Sequence, residues 1–231
     1  MLPDFEEFKR RADAIRSRIA RACALAGRKS EEVELLAVTK SQPPEAVDYV
    51  ARYGIRAVGE NRVQEAVDKR ARAPAAVEWE LIGHLQSNKA RLAAQNFSRI
   101  QSVDSAKLAE ILDRVAGELG RTLAVLLQVN AGNDPAKSGV EPEEAARLLG
   151  AALGRKNLRV EGLMTVAPLS DDPAVARRTF AALRAIRDRL VSETGADLPV
   201  LSMGMSGDMD EAVAEGSTLV RIGSALFGPR E

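Results

Sequence analysis

The sequence predicts an α/β fold, a (β/α)₈ barrel of TIM type with one extra amino-terminal helix and no second domain. Three observations lead there. Eight short aliphatic or β-branched runs alternate with amphipathic helical stretches. The runs are continuously apolar, as strands of a parallel sheet buried on both faces are. The length of 231 residues suits one such core. A doubly wound open sheet is the competing arrangement of the same alternation.

The elements follow in order. The stretch MLPDFEEFKRRADAIRSRIARACALAG precedes any strand-like run and reads as a helix, with 1–30 lying outside a barrel of 31–228 in one 1–231 domain. VELLAVT (33–39) leads to the helical EAVDYVARYG. IRAVG (55–59) leads to a helix from Arg62, and VEWELIG (77–83) to one from Asn88, with Ser87 or Asn88 as its cap. SRIQSV (98–103) precedes AKLAEILDRVAGELG, and LAVLLQVN (123–130) precedes PEEAARLLGAALG across a polar loop. LRVEGLMTV (158–166) leads to AVARRTFAALRAIRDRLVSETG, whose charges mark a solvated outer face. LPVLSMG (198–204) leads to MDEAVAEG, and TLVRIG (218–223) to SALFG.

Composition narrows the function. Lys plus Arg number 33 and Asp plus Glu 33, so charge gives no reason to expect nucleic acid or an acidic membrane as partner. Five Phe, two Tyr and one Trp make a poor base-stacking surface, and Trp79 and Phe97 read as packing. Cys23, the single cysteine, excludes an internal disulfide and reads as a buried structural thiol. The charged amino terminus lacks a secretory apolar region, and no window resembles a membrane span. A cytoplasmic monomer is expected.

In such a barrel the working face is the carboxyl-terminal end of the strands. There the sequence places Lys40, Glu60, Asn61, His84, Asn130, Thr165, Met205, Ser206, Gly207, Gly223 and Ser224. Lys40 directly follows an apolar run; a partly desolvated amine there is more often neutral, the form that condenses with an aldehyde. Position alone equally allows a lysine that closes the strand and reaches water. GMSGDMDEAVAEG and TLVRIGSALFG each put Gly and Ser between a strand and a helix, an arrangement that binds anions or only caps helices. The loops after strands 7 and 8 are the usual phosphate site of the fold. Arg221 falls two residues before Gly223 and should point inward, towards a ligand or an inward Asp or Glu. A phosphate site, a cation and an aldehyde-trapping lysine together describe pyridoxal 5′-phosphate better than a sugar phosphate. His84, the single histidine, excludes a histidine-rich metal site and reads equally as a donor near the site or as structure.

The segments LLAVTKSQP, GENRVQEA, ELIGHLQSNK, VNAGNDPAKSG, EGLMTVAP, LSMGMSGDMDEAV and GSTLVRIGSALFG resemble, in order and across nearly the whole chain, the pyridoxal phosphate homeostasis protein family, related to the amino-terminal domain of alanine racemase. The resemblance implies a pyridoxal phosphate barrel with the cofactor as an aldimine on Lys40. It further implies Asn61 against the ring, Ser206, Gly207, Gly223 and Ser224 around the phosphate, and Arg221 near the pyridine nitrogen. One departure is Gln42, where many relatives carry a second lysine; Lys137 remains as a neighbouring amine. The implied role is vitamin B6 and amino-acid homeostasis, with the cofactor buffered or delivered to apo-enzymes rather than used in an efficient reaction. An arginine facing the ring nitrogen makes the ring a poor electron sink. Tyr49 and Tyr53 fall on the helix after the first strand, away from the mouth, and no second base or substrate-closing domain follows the last barrel unit. A weak racemase and a sugar- or anthranilate-type phosphate barrel are the alternatives.

Overall fold

The computed structural model describes residues 2–73 and 76–228. Eight strands, Glu34–Val38 (β1), Ala57–Glu60 (β2), Glu78–Leu81 (β3), Arg99–Val103 (β4), Leu123–Gln128 (β5), Leu158–Met164 (β6), Val200–Ser202 (β7) and Leu219–Ile222 (β8), form a closed parallel barrel in chain order. Closure comes from β1 pairing with β8, where Leu36 lies opposite Arg221. The helices are Phe5–Leu25 (α1), Glu45–Tyr53 (α2), Val63–Arg70 (α3), Ala90–Asn96 (α4), Ala106–Glu118 (α5), Ala145–Leu153 (α6), Pro173–Thr194 (α7), Met209–Ala214 (α8) and Ser224–Phe227 (α9). Each expected strand is present and shorter than its apolar run. No described helix is long and apolar enough to cross a membrane.

The expected cap of α4 is not made. Residues Ser87–Lys89 form a 3₁₀ turn, and neither Ser87 nor Asn88 caps α4 through its side chain. Lys89, the residue before α4, is already helical. A side chain caps from an extended position; the extended residue here is Gln86, before the 3₁₀ turn, and its side chain makes no cap. Elsewhere Asp4, Ser105 and Asp172 do accept from backbone N–H groups at the starts of α1, α5 and α7.

Two apolar layers hold the fold. The larger lies between strands and helices, where Val58, Leu81, Ile100 and Val125 meet Val47, Leu112, Leu149 and Phe180, all fully buried. Trp79 and Phe97 belong to it, as expected. Inside the barrel the apolar cluster is small: Leu36, Ala57 and Leu219, with Ile82 and Val200 against them. The remaining interior is polar, since strand register puts Glu80 beside Arg99, and Gln101, Ser202 and Arg221 are also buried. Barrel interiors are ordinarily filled by branched aliphatic side chains, so this polar column is a specific feature of the chain.

Helix α1 packs outside the barrel, mainly on α8 and α9. Its stripe Phe8, Ala12, Ile15, Ile19 and Ala22 is buried, with the spacing an amphipathic helix needs. Phe8 stacks on Phe227 of α9 at 5.3 Å between ring centroids. Cys23 is fully buried, as expected, and burial raises its thiol pKa.

Gly162 shows how little slack the sheet has. Its φ is +156°, and a Cβ there would sit 1.9 Å from the carbonyl oxygen of Val200 on β7. Gly162→Ala should therefore lower stability by about 3 kcal/mol or more through forced displacement of the β6–β7 pairing. Chemical denaturation checks this; an unchanged midpoint would contradict the close approach.

Candidate functional site

A cavity of about 240 Å³ opens at the carboxyl-terminal end of the strands, lined by Val38, Lys40, Gln42, Ile82, Met205, Ser206, Gly207, Arg221, Gly223, Ser224 and Gly228. Six of the seven residues singled out for binding meet there. Asn61 follows β2 at the same rim but is not part of the lining; its backbone packs so closely on Gly83 that a Cβ at residue 83 would lie 2.2 Å from the Asn61 carbonyl oxygen. His84 lies outside the lining with a 56 % exposed side chain, its Nδ1 3.2 Å from Asp104. Lys137 sits in the loop between β5 and α6, also outside. Asn130 and Thr165 are buried and structural: Asn130 ties that loop to Asp134 and Glu141, and the Thr165 hydroxyl donates to the Val129 carbonyl at 2.8 Å.

The backbone on both sides of Lys40 is fixed by an ionic cluster whose Glu60–Lys69 pair is buried. Lys69 of α3 donates to the Thr39 carbonyl at 2.6 Å and to Glu60 Oε1 at 2.5 Å. The Thr39 hydroxyl donates to the same Glu60 oxygen at 2.7 Å. On the other side, the Ser41 N–H donates to Glu65 Oε1 at 2.7 Å. Ser41 has φ +61°, a left-handed conformation costing a non-glycine residue about 1 kcal/mol. The Glu65 bond offsets that cost and turns the chain sharply after Lys40. Burial pushes the Glu60 carboxyl pKa up, against the pull of Lys69, and among the described residues Glu60 Oε2 has no hydrogen-bond partner.

Arg221 points into the barrel from β8, 4 % exposed. Its Nη1 donates to the Ser202 hydroxyl at 2.6 Å and its Nη2 to the Thr165 carbonyl at 2.8 Å, using two of the five guanidinium donors. The chain of bonds continues downward. Ser202 donates to Gln101 Oε1 at 2.6 Å, and Gln101 Nε2 donates to Glu80 Oε2 at 2.6 Å. Glu80 takes a bidentate contact from Arg99 at 2.9 and 2.7 Å, and Arg99 also reaches Glu161 at 3.1 Å. Arg221 thus rests on neutral acceptors, while the carboxylate lower in the column is matched by Arg99. Burial pulls the Arg221 pKa down to about 10, opposed by Asp208, so the group stays charged at neutral pH. Among the described residues it has no ion pair, so the inward Asp or Glu that the sequence allowed is not its partner. A buried cation held this way favours an electron-rich ligand in the cavity.

The two glycine turns meet at the far side of the cavity. Gly204 has φ +96°, and a Cβ there would lie 2.5 Å from that of Ala212, so the turn from β7 to α8 passes close over the helix. Asp208 closes this turn by accepting from the Met205 N–H at 2.6 Å. Ser206 accepts from the Ser224 hydroxyl at 3.3 Å and the Ala225 N–H at 3.4 Å, joining the turns after β7 and β8. Helices α8 and α9 span only Met209–Ala214 and Ser224–Phe227, so an anion here meets individual N–H and hydroxyl donors rather than a long helix dipole.

The residues that the sequence reading missed are those behind the lining: Lys69 and Glu65, Glu80, Arg99, Gln101 and Ser202, and Arg18 of α1. A signal for some of them was present. Glu78 and Glu80, and Arg99 and Gln101, alternate along β3 and β4, marking one face of each strand as polar. Nothing local marks Arg18, whose partners are remote in sequence.

The model of the alanine racemase, N-terminal domain, family matches residues 11–231. The chain is 40% identical to the pyridoxal phosphate homeostasis protein of Aquifex aeolicus, covering 96% of this chain and 97% of that one. It is also 40% identical to the protein of that name from Pseudomonas aeruginosa, covering 94% and 93%. The solved structure of PipY from Synechococcus elongatus PCC7942 with PLP bound is similar at 42% identity and TM-score 0.82, covering 91% of this chain and 100% of that one. An alanine racemase of Clostridium difficile 630 superposes with TM-score 0.81 at 14% identity, over 97% of this chain and 57% of that one, a likeness of fold alone.

The ionic cluster around Lys40 yields a prediction. Lys69→Met strands the Glu60 carboxylate in the core, which should cost about 3–5 kcal/mol at neutral pH. A carboxyl whose pKa burial raises is relieved by protonation, so the deficit should shrink as pH falls into the mildly acidic range. Denaturation of both proteins across that range checks it; a pH-independent deficit would argue that lost packing, not stranded charge, is the cause.

Proposed function

Because the chain belongs to the alanine racemase N-terminal domain family and, within it, to the pyridoxal phosphate homeostasis proteins, we propose that it binds pyridoxal 5′-phosphate in the cavity at the barrel mouth and takes part in vitamin B6 homeostasis. One observation carries the reading. A single cavity presents the Lys40 amine, the buried Arg221 cation and two serine-bearing glycine turns. The donor set fits the group: an amine for the aldehyde, hydroxyl and N–H donors for the phosphate, a guanidinium for the ring nitrogen, and Val38, Ile82 and Met205 for the apolar ring.

When bound, the cofactor supplies an aldehyde that passes between amines and a conjugated ring that can draw electrons. In this reading Lys40 holds it covalently, and the cluster of Glu60, Glu65 and Lys69 sets the direction from which the lysine enters. Ser206, Gly207, Gly223 and Ser224 bind the phosphate, with Asn61 closing the ring side at the rim. Arg221 keeps its charge opposite the ring nitrogen, which disfavours protonation of that atom. Buffering or delivery of the cofactor to apo-enzymes, by a cytoplasmic monomer, then fits better than efficient turnover. Among the described lining residues Lys40 alone is a proton base suited to abstracting an α-proton. Tyr49 and Tyr53 lie on α2 and pack on the aromatic rings of α1; the Tyr53 hydroxyl donates to Asp13 at 2.6 Å. The two-sided proton transfer of a racemase has no evident second base among these groups. The fold shared with alanine racemase keeps weak racemase-like activity as a second reading, and exchange of an amino-acid α-proton at a useful rate would favour it.

The visible absorption spectrum tests the site. Added pyridoxal 5′-phosphate should give the wild-type protein a yellow band that Lys40→Ala lacks; a full band in the variant would overturn the assignment of the lysine. Arg221→Ala should weaken retention about tenfold or more, corresponding to ~1.4 kcal/mol, measured by equilibrium dialysis. Unchanged affinity would remove the proposed contact with the ring.

A further inference from the structure

The phosphate turn after β7 is held from outside the barrel. Arg18, on α1, donates through Nε to both carboxylate oxygens of Asp210 at 3.0 and 3.1 Å, and through Nη1 to the carbonyl oxygen of Ser206 at 2.9 Å. Asp210 lies in the first turn of α8, so one guanidinium joins that helix to the turn in front of it. The fork geometry matters: with Nε and the carboxylate engaged, Nη1 is aimed at the carbonyl rather than left to rotate.

The consequence follows from peptide geometry. The Ser206 carbonyl and the Gly207 N–H belong to the same planar trans unit, in which the two groups point to opposite sides; no cis bond occurs here. With the carbonyl drawn outward to Arg18, the Gly207 N–H faces the other way, and Gly207 lines the cavity. Glycine turns over easily, because it tolerates both signs of φ. A peptide beside residue 207 therefore needs an external hold to keep its N–H on the ligand side. The neighbouring turn cannot provide it, since the contacts of Ser206 to Ser224 and Ala225 run through the side-chain hydroxyl.

We propose that Arg18 is a positioning residue for phosphate recognition: it fixes the orientation of the Ser206–Gly207 peptide and so the donor that meets the phosphate. This rests on the assignment of the cavity to pyridoxal 5′-phosphate. It gives α1, which adds no strand or lining residue to the barrel, a direct role in the affinity of the site. The effect is specific to the phosphate, because the grip on Thr39 and Ser41 beside Lys40 comes from Lys69 and Glu65, and that on Arg221 from Ser202 and Thr165.

The experiment compares pyridoxal 5′-phosphate with pyridoxal, which lacks the phosphate, in spectroscopic titrations of wild type, Arg18→Gln, Arg18→Lys and Asp210→Asn, with thermal unfolding of each. Arg18→Gln should bind pyridoxal 5′-phosphate about tenfold more weakly (~1.4 kcal/mol) and pyridoxal equally well, and inorganic phosphate should compete less effectively. Arg18→Lys, which can still donate to the Ser206 carbonyl, should recover part of the loss. Asp210→Asn keeps Arg18 but loosens its aim, and should shift in the same direction by less. Equal loss for both ligands, or no loss for either, would overturn the proposal, since a merely structural arginine gives one of these. Should Arg18→Gln not fold, the ligand-selective shift in Asp210→Asn decides, and its absence overturns the proposal. A wild-type protein that binds neither compound would overturn the cofactor reading, and the role of Arg18 with it.

Discussion

The cation of Arg221, buried inside the barrel, is the constraint from which much of the architecture follows. A guanidinium 4 % exposed must be surrounded by acceptors or it would destabilise the fold. The barrel supplies them as a column: Ser202 and Thr165 at the mouth, Gln101 below, and the Glu80–Arg99 pair towards the amino-terminal ends of the strands. The amide of Gln101 is oriented by its two neighbours, with its nitrogen towards the carboxylate and its oxygen towards Ser202. Side chains that would otherwise fill the barrel with aliphatic volume are thus given over to holding one charge at the cavity floor.

Three separate devices then aim three groups at one space. The column aims Arg221. The cluster of Glu60, Glu65 and Lys69 grips the chain at Thr39 and Ser41, one residue on either side of Lys40. Arg18 of α1 grips the turn at Ser206. Each acts on backbone or side chain from behind the lining, and each joins elements distant in sequence. Precision at the site is therefore a property of the closed barrel and its extra helix together, since these three holds come from elements other than the loops they fix.

The strands, the helices and the meeting of six of the seven proposed binding residues in one cavity were legible in the sequence because most of their signals are local: apolar runs, glycine-serine turns, and a lysine at a strand end. Lys40, Ser206, Gly207, Gly223 and Ser224 follow strand ends, and Arg221 lies within β8 two residues before Gly223, which fixes their place once the barrel is assumed. Asn61 was placed by resemblance to a family motif, and its backbone packing on Gly83 sets it at the rim. The support was harder to read. Lys69 and Arg18 are exposed-looking residues in charged helices, and their partners come from other elements, so only closure of the chain reveals them. The start of α4 misled for a related reason: Ser87 and Asn88 are good capping residue types, but a 3₁₀ turn reaches helical geometry before either can cap.

The proposed covalent role of Lys40 is the claim on which the functional reading turns. Borohydride reduction of protein equilibrated with pyridoxal 5′-phosphate, followed by peptide mass mapping, tests it most directly, because reduction locks the cofactor onto whichever amine held it. The account predicts one dominant phosphopyridoxyl adduct, on the peptide containing Lys40. An adduct on Lys137 or another lysine in its place, or no adduct under conditions where a related homeostasis protein is labelled, would contradict it.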